Sequence, residues 1–249
     1  RSIKVNKNTK LLYAQILKAK EILEQKLMKN PTNYELSLFL EIDEKIIDEV
    51  LLANRIGGIW NDILMIGIES ISTNLAWLGI IGYSLQIYFD FYGYSLMSIG
   101  LGKMIGFTLP DNFKTPYLSV SMTEFFRRWH ITLGTWFKNY IYIPLGGNRK
   151  GKLRTIFNLL VVWLLTGLWH GANYNFILWG LVIFAIIIIE KLWLKKYLDR
   201  HKFVGHLYML FLIPITWAIF AITDLQQLII MFKKMFTFSE GLYLLDYIK

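Results

Sequence analysis

The chain has 249 residues, of which 55% are hydrophobic, 16% aromatic and only 18% charged, against roughly 25% charged residues in an ordinary soluble domain. This composition argues against a single water-soluble globule, and the aromatic content excludes a disordered chain. The sequence contains no cysteine, which excludes disulfides, Cys-based zinc sites and thiol catalysis. The net charge of +9 indicates either a nucleic-acid partner or an anionic membrane surface.

The first 54 residues differ in composition from the rest of the chain. Basic and acidic side chains are interspersed with apolar ones there, and the sequence becomes strongly apolar between Leu51 and Gly58. We therefore predict a small soluble helical segment over residues 1–54, followed by a membrane domain over residues 55–249. The fold class predicted for the whole chain is all-α.

Three helices are predicted in the soluble segment. Asn8 and Thr9 are candidates to cap the first helix, whose apolar residues recur at helical spacing. Thr32 followed by Glu35 predicts a capping box at the start of the second helix. A third helix is predicted from Asp43 to Val50.

The remainder contains stretches that are long and apolar enough to cross a bilayer, which takes about 20 residues in a helix. Four candidates are clear, and a fifth, Ile59 to Ile71, is weaker because polar residues interrupt it. We expect four or five membrane helices in a polytopic bundle, some of them short or re-entrant. The four clearer candidates are Leu75 to Phe91, Phe157 to Trp169, Phe176 to Ile189 and Val204 to Ala221.

Basic residues indicate which ends of these helices face the cytoplasm. The loops before Phe157 and after Ile189 are both rich in Lys and Arg, so both are expected on the cytoplasmic side. The intervening segment must then form a helical hairpin that turns near residues 170–175. The 16 residues from Arg154 to His170 span about 24 Å at 1.5 Å per residue, less than the roughly 30 Å of hydrocarbon. His170 is therefore predicted to lie within the bilayer.

His170 is the strongest candidate for chemistry, because an ionisable residue inside a membrane span is by default a functional-site hypothesis. An imidazole also suits proton transfer near neutral pH. Its neighbours Gly167, Gly171 and Ala172 are small, which would leave room for a substrate or for a second helix. The alternative is a structural histidine, hydrogen-bonded to a backbone carbonyl or to Asn173.

Two further residues are weaker candidates for the site. His130 follows Arg127 and Arg128 in the stretch FFRRWHITLGTWF, where it either serves a function or packs at the membrane interface. Asp90 is a carboxylate flanked by aromatic residues, for which a structural hydrogen bond or ion pair is favoured over direct catalysis. No metal site is expected, because the histidines lack a short metal-ligand spacing.

Three ordered blocks resemble the membrane-bound O-acyltransferase family, and in particular its alginate O-acetyltransferase-like branch, over about residues 52–236. They are AWLGIIGYSLQIYFDFYGYSLMSIGLGKMIGF, TEFFRRWHITLGTWFKNYIYIPLGGNRKG and LLTGLWHGANYNFILWG. The resemblance implies a multi-pass protein of the bacterial cell membrane in which His170 is the catalytic base and His130 lines the same tunnel.

The resemblance also implies the reaction and its partners. The expected enzyme is an O-acyltransferase without a bound cofactor, which moves an acyl group, in the first instance acetyl, from a cytoplasmic thioester to hydroxyls of an extracytoplasmic polysaccharide. Acetyl-CoA or an acyl-carrier thioester would be the donor, and a periplasmic or surface acyltransferase could complete the transfer. We assign Arg127, Arg128, Asp90 and Asn173 to substrate binding, with the two arginines facing the anionic part of the donor.

Residues 1–54 separately resemble the region 3 helical domain of a sigma-70-type transcription factor, notably in the stretch KNPTNYELSLFLEI. This resemblance keeps two alternatives open: a DNA-binding sigma-factor fragment, and an inactive fusion or membrane scaffold. Nucleic acid is expected as a partner only if this segment is functional.

Overall fold

The computed structural model describes the backbone of residues 7–241, and in that range it shows helices and no extended strand pairing. Side chains are described from residue 12 onward, except at positions 49 and 52–56. The all-α prediction is confirmed. The helices are α1 (Lys7–Leu27), α2 (Asn33–Leu40), α3 (Glu44–Ile66), α4 (Thr73–Met104), α5 (Met122–Arg128), α6 (Ile131–Phe137), α7 (Lys152–His170), α8 (Tyr174–Ile189), α9 (Lys195–Arg200), α10 (Lys202–Ala221) and α11 (Leu225–Phe236).

The chain divides into two compact units. The first comprises the described residues up to 109 together with those from 234 onward, and the second comprises residues 110–233. The side chains described below as contacts of the two candidate histidines all belong to the second unit.

In the first unit, α1, α2 and α3 form a small bundle that shares its core with α4. Leu96 and Met97 of α4 pack against the buried apolar side chains of the bundle. The Lys45 ammonium also donates a hydrogen bond of 2.9 Å to the hydroxyl of Tyr92, another α4 residue. Burial of this shared apolar surface stabilises the N-terminal helices against the longer helix. The core residues are Leu12, Ile16, Ala19, Leu23, Leu36, Ile46, Ile47 and Val50.

The predicted starts and ends of these helices are met only in part. The capping box at the start of α2 is confirmed, because Thr32 and Glu35 exchange both hydrogen bonds. The predicted cap at Asn8 and Thr9 concerns side chains outside the described residues, but the helix backbone already includes Lys7, so both residues lie within α1. The third helix is much longer than predicted.

Helix α3 continues from Glu44 to Ile66 without interruption. It therefore extends past the predicted end at Val50 and crosses the predicted boundary between residues 54 and 55. The chain has no loop at that position, and the division into a soluble segment and a membrane domain stays a prediction.

The described residues include three helical segments long and apolar enough to cross a membrane: Lys152–His170, Tyr174–Arg200 and Lys202–Ala221. They confirm three of the four clearer candidates. The fourth candidate lies within α4, where Gln86, Asp90 and several tyrosines lower the mean hydropathy. The expected count of four or five is therefore higher than what length and composition support in the described part of the chain.

The predicted hairpin is confirmed, since α7 ends at His170 and α8 begins at Tyr174. The two helices approach closely at glycines. A Cβ added at Gly167 would lie 2.5 Å from the carbonyl oxygen of Phe176, and one added at Gly180 would overlap the carbonyl oxygen of Trp163. Of the two predicted uses of the space at Gly167, the structure shows the second, close approach of a helix.

Candidate functional site

His170 is the last residue of α7 and lies among aromatic side chains. No hydrogen bond to its imidazole is found among the described residues. Ring packing alone therefore holds its orientation in the described part of the chain. The centroid of its ring lies 4.9 Å from Trp169, 6.1 Å from Phe176, 5.3 Å from Trp179 and 5.0 Å from Phe220.

Two buried tryptophans extend this aromatic cluster. The rings of Trp179 on α8 and Trp217 on α10 are nearly parallel, with centroids 6.1 Å apart. Both indole N–H groups are buried and have no hydrogen-bond partner among the described atoms. A buried donor without a partner costs about 1–3 kcal/mol. The ring of Trp179 also contacts that of His170.

Asn175 links the two helices that carry this cluster. Its side-chain amide donates to the backbone carbonyl oxygens of Phe220 at 2.8 Å and Ile219 at 3.4 Å. It thereby fixes the C-terminal end of α10, including the Phe220 ring against His170. Asn173, which the sequence analysis selected, is exposed at the start of α8 and makes no side-chain capping bond.

His130 lies between α5 and α6 in a left-handed backbone conformation, with φ 47° and ψ 53°. This conformation is uncommon for a residue other than glycine, and such residues cluster at functional sites. Two backbone hydrogen bonds hold the segment on either side of it. The N–H of Ile131 donates to the carbonyl of Asn112 at 3.0 Å, and the N–H of Lys114 donates to the carbonyl of Arg128 at 2.9 Å.

The side chain of Asn112 determines the tautomer of His130. Asn112 Oδ1 accepts the backbone N–H of Thr132 at 3.1 Å and its hydroxyl at 2.9 Å, and it lies 3.2 Å from His130 Nδ1. A backbone N–H can only donate, so the atom facing it must be the amide oxygen. His130 Nδ1 therefore carries the hydrogen in this contact, and Nε2 keeps its lone pair. No sequence pattern pointed to Asn112, which lies 18 positions before His130.

The structure brings the two predicted histidines to the same indole. The ring centroid of Trp169 lies 5.9 Å from that of His130 and 4.9 Å from that of His170. Burial lowers the pKa of His130 from 6.5 to about 4. His130 is therefore neutral at pH 7, with a defined acceptor nitrogen.

The remaining predicted site residues have unlike environments. Arg128 forms an ion pair with Glu124, one turn earlier on α5, whereas Arg127 is exposed. Asp90 lies on α4, in the first compact unit. No group of three or more His, Asp or Glu side chains that could hold a metal ion is found in the described part of the chain.

Comparison with known proteins identifies the family. Residues 65–232 match the model of the membrane-bound O-acyltransferase family. The chain belongs to this family. The match includes the whole aromatic cluster and both histidines.

Individual relatives carry names that differ in acyl group and acceptor. A probable alginate O-acetylase AlgI of Pseudomonas putida is 39% identical over 235 residues, covering 92% of this chain and 47% of that protein. A peptidoglycan O-acetyltransferase of Helicobacter pylori is 38% identical over 170 residues, covering 67% of this chain and 32% of its own length. A teichoic acid D-alanyltransferase of Streptococcus thermophilus is 30% identical over 135 residues, covering 49% of this chain and 32% of the relative.

Two facts follow from the extent of these alignments. The chain spans between about a third and a half of the length of the curated relatives it matches. The alignment with the Pseudomonas putida protein covers 92% of the chain, so it includes more than half of residues 1–54. The resemblance of that segment to a sigma factor is not addressed by these relatives and stays a prediction.

Proposed function

We propose that the chain is a membrane O-acyltransferase that moves an acyl group from a cytoplasmic thioester to hydroxyls of an extracytoplasmic polysaccharide. The observation that carries this proposal is the contact of both histidines with Trp169, at the turn of an apolar helical hairpin. Membership of the family supports it, as do the names of the three relatives, each of which transfers an acyl group to a polymer of the cell envelope or matrix.

His170 acts in this proposal as the general base. Its imidazole removes the proton from the acceptor hydroxyl while the hydroxyl oxygen attacks the carbonyl carbon of the thioester. The tetrahedral intermediate then collapses, the carbon–sulfur bond breaks, and the thiolate leaves. The proton held on the imidazole passes to the sulfur, which returns His170 to its starting state.

The tetrahedral intermediate carries a negative oxygen that needs hydrogen-bond donors. The buried N–H groups of Trp179 and Trp217 are our candidates for these donors, because both lack a partner among the described atoms. The apolar rings around His170 also lower the local polarity, which strengthens any dipole aimed at the oxyanion. The indoles of Trp179 and Trp217 would thus lower the activation barrier of acyl transfer.

The other predicted residues take supporting roles. His130, neutral and hydrogen-bonded through Nδ1 to Asn112, positions the donor or the acceptor. Arg127 is exposed and suits the anionic part of the donor, whereas the charge of Arg128 is already compensated by Glu124. Asn173, exposed in the hairpin turn, remains our proposal for a contact to the acceptor.

The proposal also specifies the acyl donor, the acyl group and a partner protein. We propose acetyl as the acyl group and acetyl-CoA or an acyl-carrier thioester as its source, in a multi-pass protein of the bacterial cell membrane. The relatives' names support a polysaccharide acceptor, and they include both acetyl and D-alanyl transfer. A periplasmic or surface acyltransferase would complete the delivery.

The test is transfer of labelled acetyl groups by membranes that contain the chain, with and without His170→Ala. Removal of a general base should lower the rate by roughly 10² to 10⁴, while membrane insertion stays normal. Asp199→Asn is the matched control, because Asp199 forms an exposed ion pair with Lys195 and such pairs contribute little. Equal rates for His170→Ala and the unsubstituted chain would remove His170 from the role of base.

A further inference from the structure

Glu190 is a fully buried carboxylate in the membrane-spanning segment Tyr174–Arg200. It begins a π-helical turn, Glu190–Leu194, that separates α8 from α9. Ionisable residues in membrane segments are costly and mark functional positions, and π-helical turns are frequent at such positions. The proposed reaction gives Glu190 no role, so its burial needs a separate explanation.

The hydrogen-bond partners of Glu190 lie at the start of α5. Its two carboxylate oxygens accept the backbone N–H of Met122 at 2.6 Å, the backbone N–H of Thr123 at 2.9 Å and the hydroxyl of Thr123 at 2.6 Å. None of the described Lys or Arg side chains forms an ion pair with Glu190. The carboxylate is therefore stabilised by the donors at the start of α5.

Helix α5 depends on such contacts because it has only 7 residues. A helix of that length is not stable by itself in water or at an interface. Glu190 holds its first turn, and at the other end Trp129 stacks on Phe125 with ring centroids 5.4 Å apart. The next residue is His130. The placement of His130 is thus determined by a rigid segment whose beginning is fixed by Glu190.

We propose that Glu190 is a positioning residue, which anchors α5 to α8 and thereby presents His130 to the site at Trp169. This inference rests on the proposed function for its catalytic consequence, but its structural part can be tested without any activity. It predicts that weakening the anchor loosens residues 121–130 and acts on transfer only through His130.

The first experiment measures amide hydrogen exchange of the detergent-solubilised chain by mass spectrometry. Glu190→Gln keeps the size of the side chain but replaces one accepting oxygen with an amide that donates. Hydrogen bonds to a charged group contribute strongly to local stability, so their weakening makes local opening more frequent. Amide exchange in residues 121–130 should therefore accelerate roughly ten- to hundredfold. Thr123→Val, which removes one of the three bonds to α5, should give a smaller acceleration in the same peptides. Asp199→Asn should leave these peptides unchanged.

Unchanged exchange in residues 121–130 of Glu190→Gln would overturn the anchor. If Glu190→Gln does not fold, Thr123→Val decides, and equal exchange in Thr123→Val and the unsubstituted chain would overturn it as well. Because this measurement needs no substrate, a chain without transferase activity would contradict the proposed function and leave the test of the anchor intact.

The second experiment is a double-mutant cycle on labelled acetyl transfer. Glu190→Gln should raise KM and lower kcat in the same proportion as His130→Ala, and the double variant should be no slower than His130→Ala within about twofold, since coupled residues are not additive. A purely structural role would instead multiply the two losses. Multiplied losses would therefore refute action through His130.

Discussion

Gly167→Ala tests whether the close approach of α7 and α8 places His170. The added Cβ would lie 2.5 Å from the carbonyl oxygen of Phe176 and 3.2 Å from the Cα of Ile177, both backbone atoms that cannot rotate away. Ordinary contact begins near 3.4 Å, so the helices must separate by about 0.9 Å. Overpacking of this kind costs about 1–3 kcal/mol. It would also shift His170, one turn further on, and a displacement near 1 Å can lower a rate about a hundredfold.

The assay combines thermal unfolding in detergent with labelled acetyl transfer. Gly100→Ala is the control, because Gly100 lies inside α4 and a Cβ there meets nothing within 4 Å. Alanine is favoured over glycine in a helix by about 1 kcal/mol, so the control should be as stable as the unsubstituted chain or more so. If Gly167→Ala unfolds at the same temperature and transfers at the same rate as Gly100→Ala, close helix approach does not hold the site.

Three further substitutions test the individual side chains of the site. His130→Ala should raise the KM for donor or acceptor at least as much as it lowers kcat, because loss of a positioning group removes binding; a loss confined to kcat would contradict that role. Asn112→Asp places a carboxylate 3.2 Å from Nδ1 and should raise the pKa of His130 from about 4. As the pH is lowered, His130 then becomes protonated earlier, and activity should be lost at a higher pH than in the unsubstituted chain. An unchanged pH profile would exclude the requirement for a neutral His130. Trp179→Phe keeps an aromatic side chain, although a smaller one, and removes the indole N–H; it should lower kcat by about 10² to 10³ if that group stabilises the oxyanion, and a rate within twofold of the unsubstituted chain would exclude this.

The sequence predicted the parts of the fold that follow from local composition. Helical periodicity and the Thr32–Glu35 pair were sufficient for the N-terminal helices, and apolar length was sufficient for three membrane segments. Composition alone could not show that α3 crosses the predicted boundary or that Leu96 and Met97 complete the N-terminal core. Those facts depend on contacts between distant residues, which leave no periodic pattern.

Prediction of the candidate site from the sequence has the same limit, because contacts between distant residues also decide which single side chains are buried. His170 could be selected because an imidazole in an apolar segment is costly wherever it lies, and His130 because it follows two arginines in an aromatic stretch. The sequence analysis selected Asn173 and did not consider Asn175. The two residues occupy the same polar stretch, and only the packing of α8 on α10 buries Asn175. Glu190 was missed because it adjoins the basic residues after the span, where a carboxylate is ordinary.

Neighbouring residues in the RRWH block do not share one environment, and this changes how the block is interpreted. Arg128 is paired with Glu124, its neighbour one helical turn away, so its charge is compensated within α5. Arg127 is exposed. His130 lies between α5 and α6 with a left-handed backbone, and its Nδ1–H donates a hydrogen bond to Asn112 Oδ1. The block therefore combines one residue that stabilises a short helix, one cation open to an anionic donor, and one imidazole of fixed tautomer. A direct part of these side chains in acyl transfer stays our proposal.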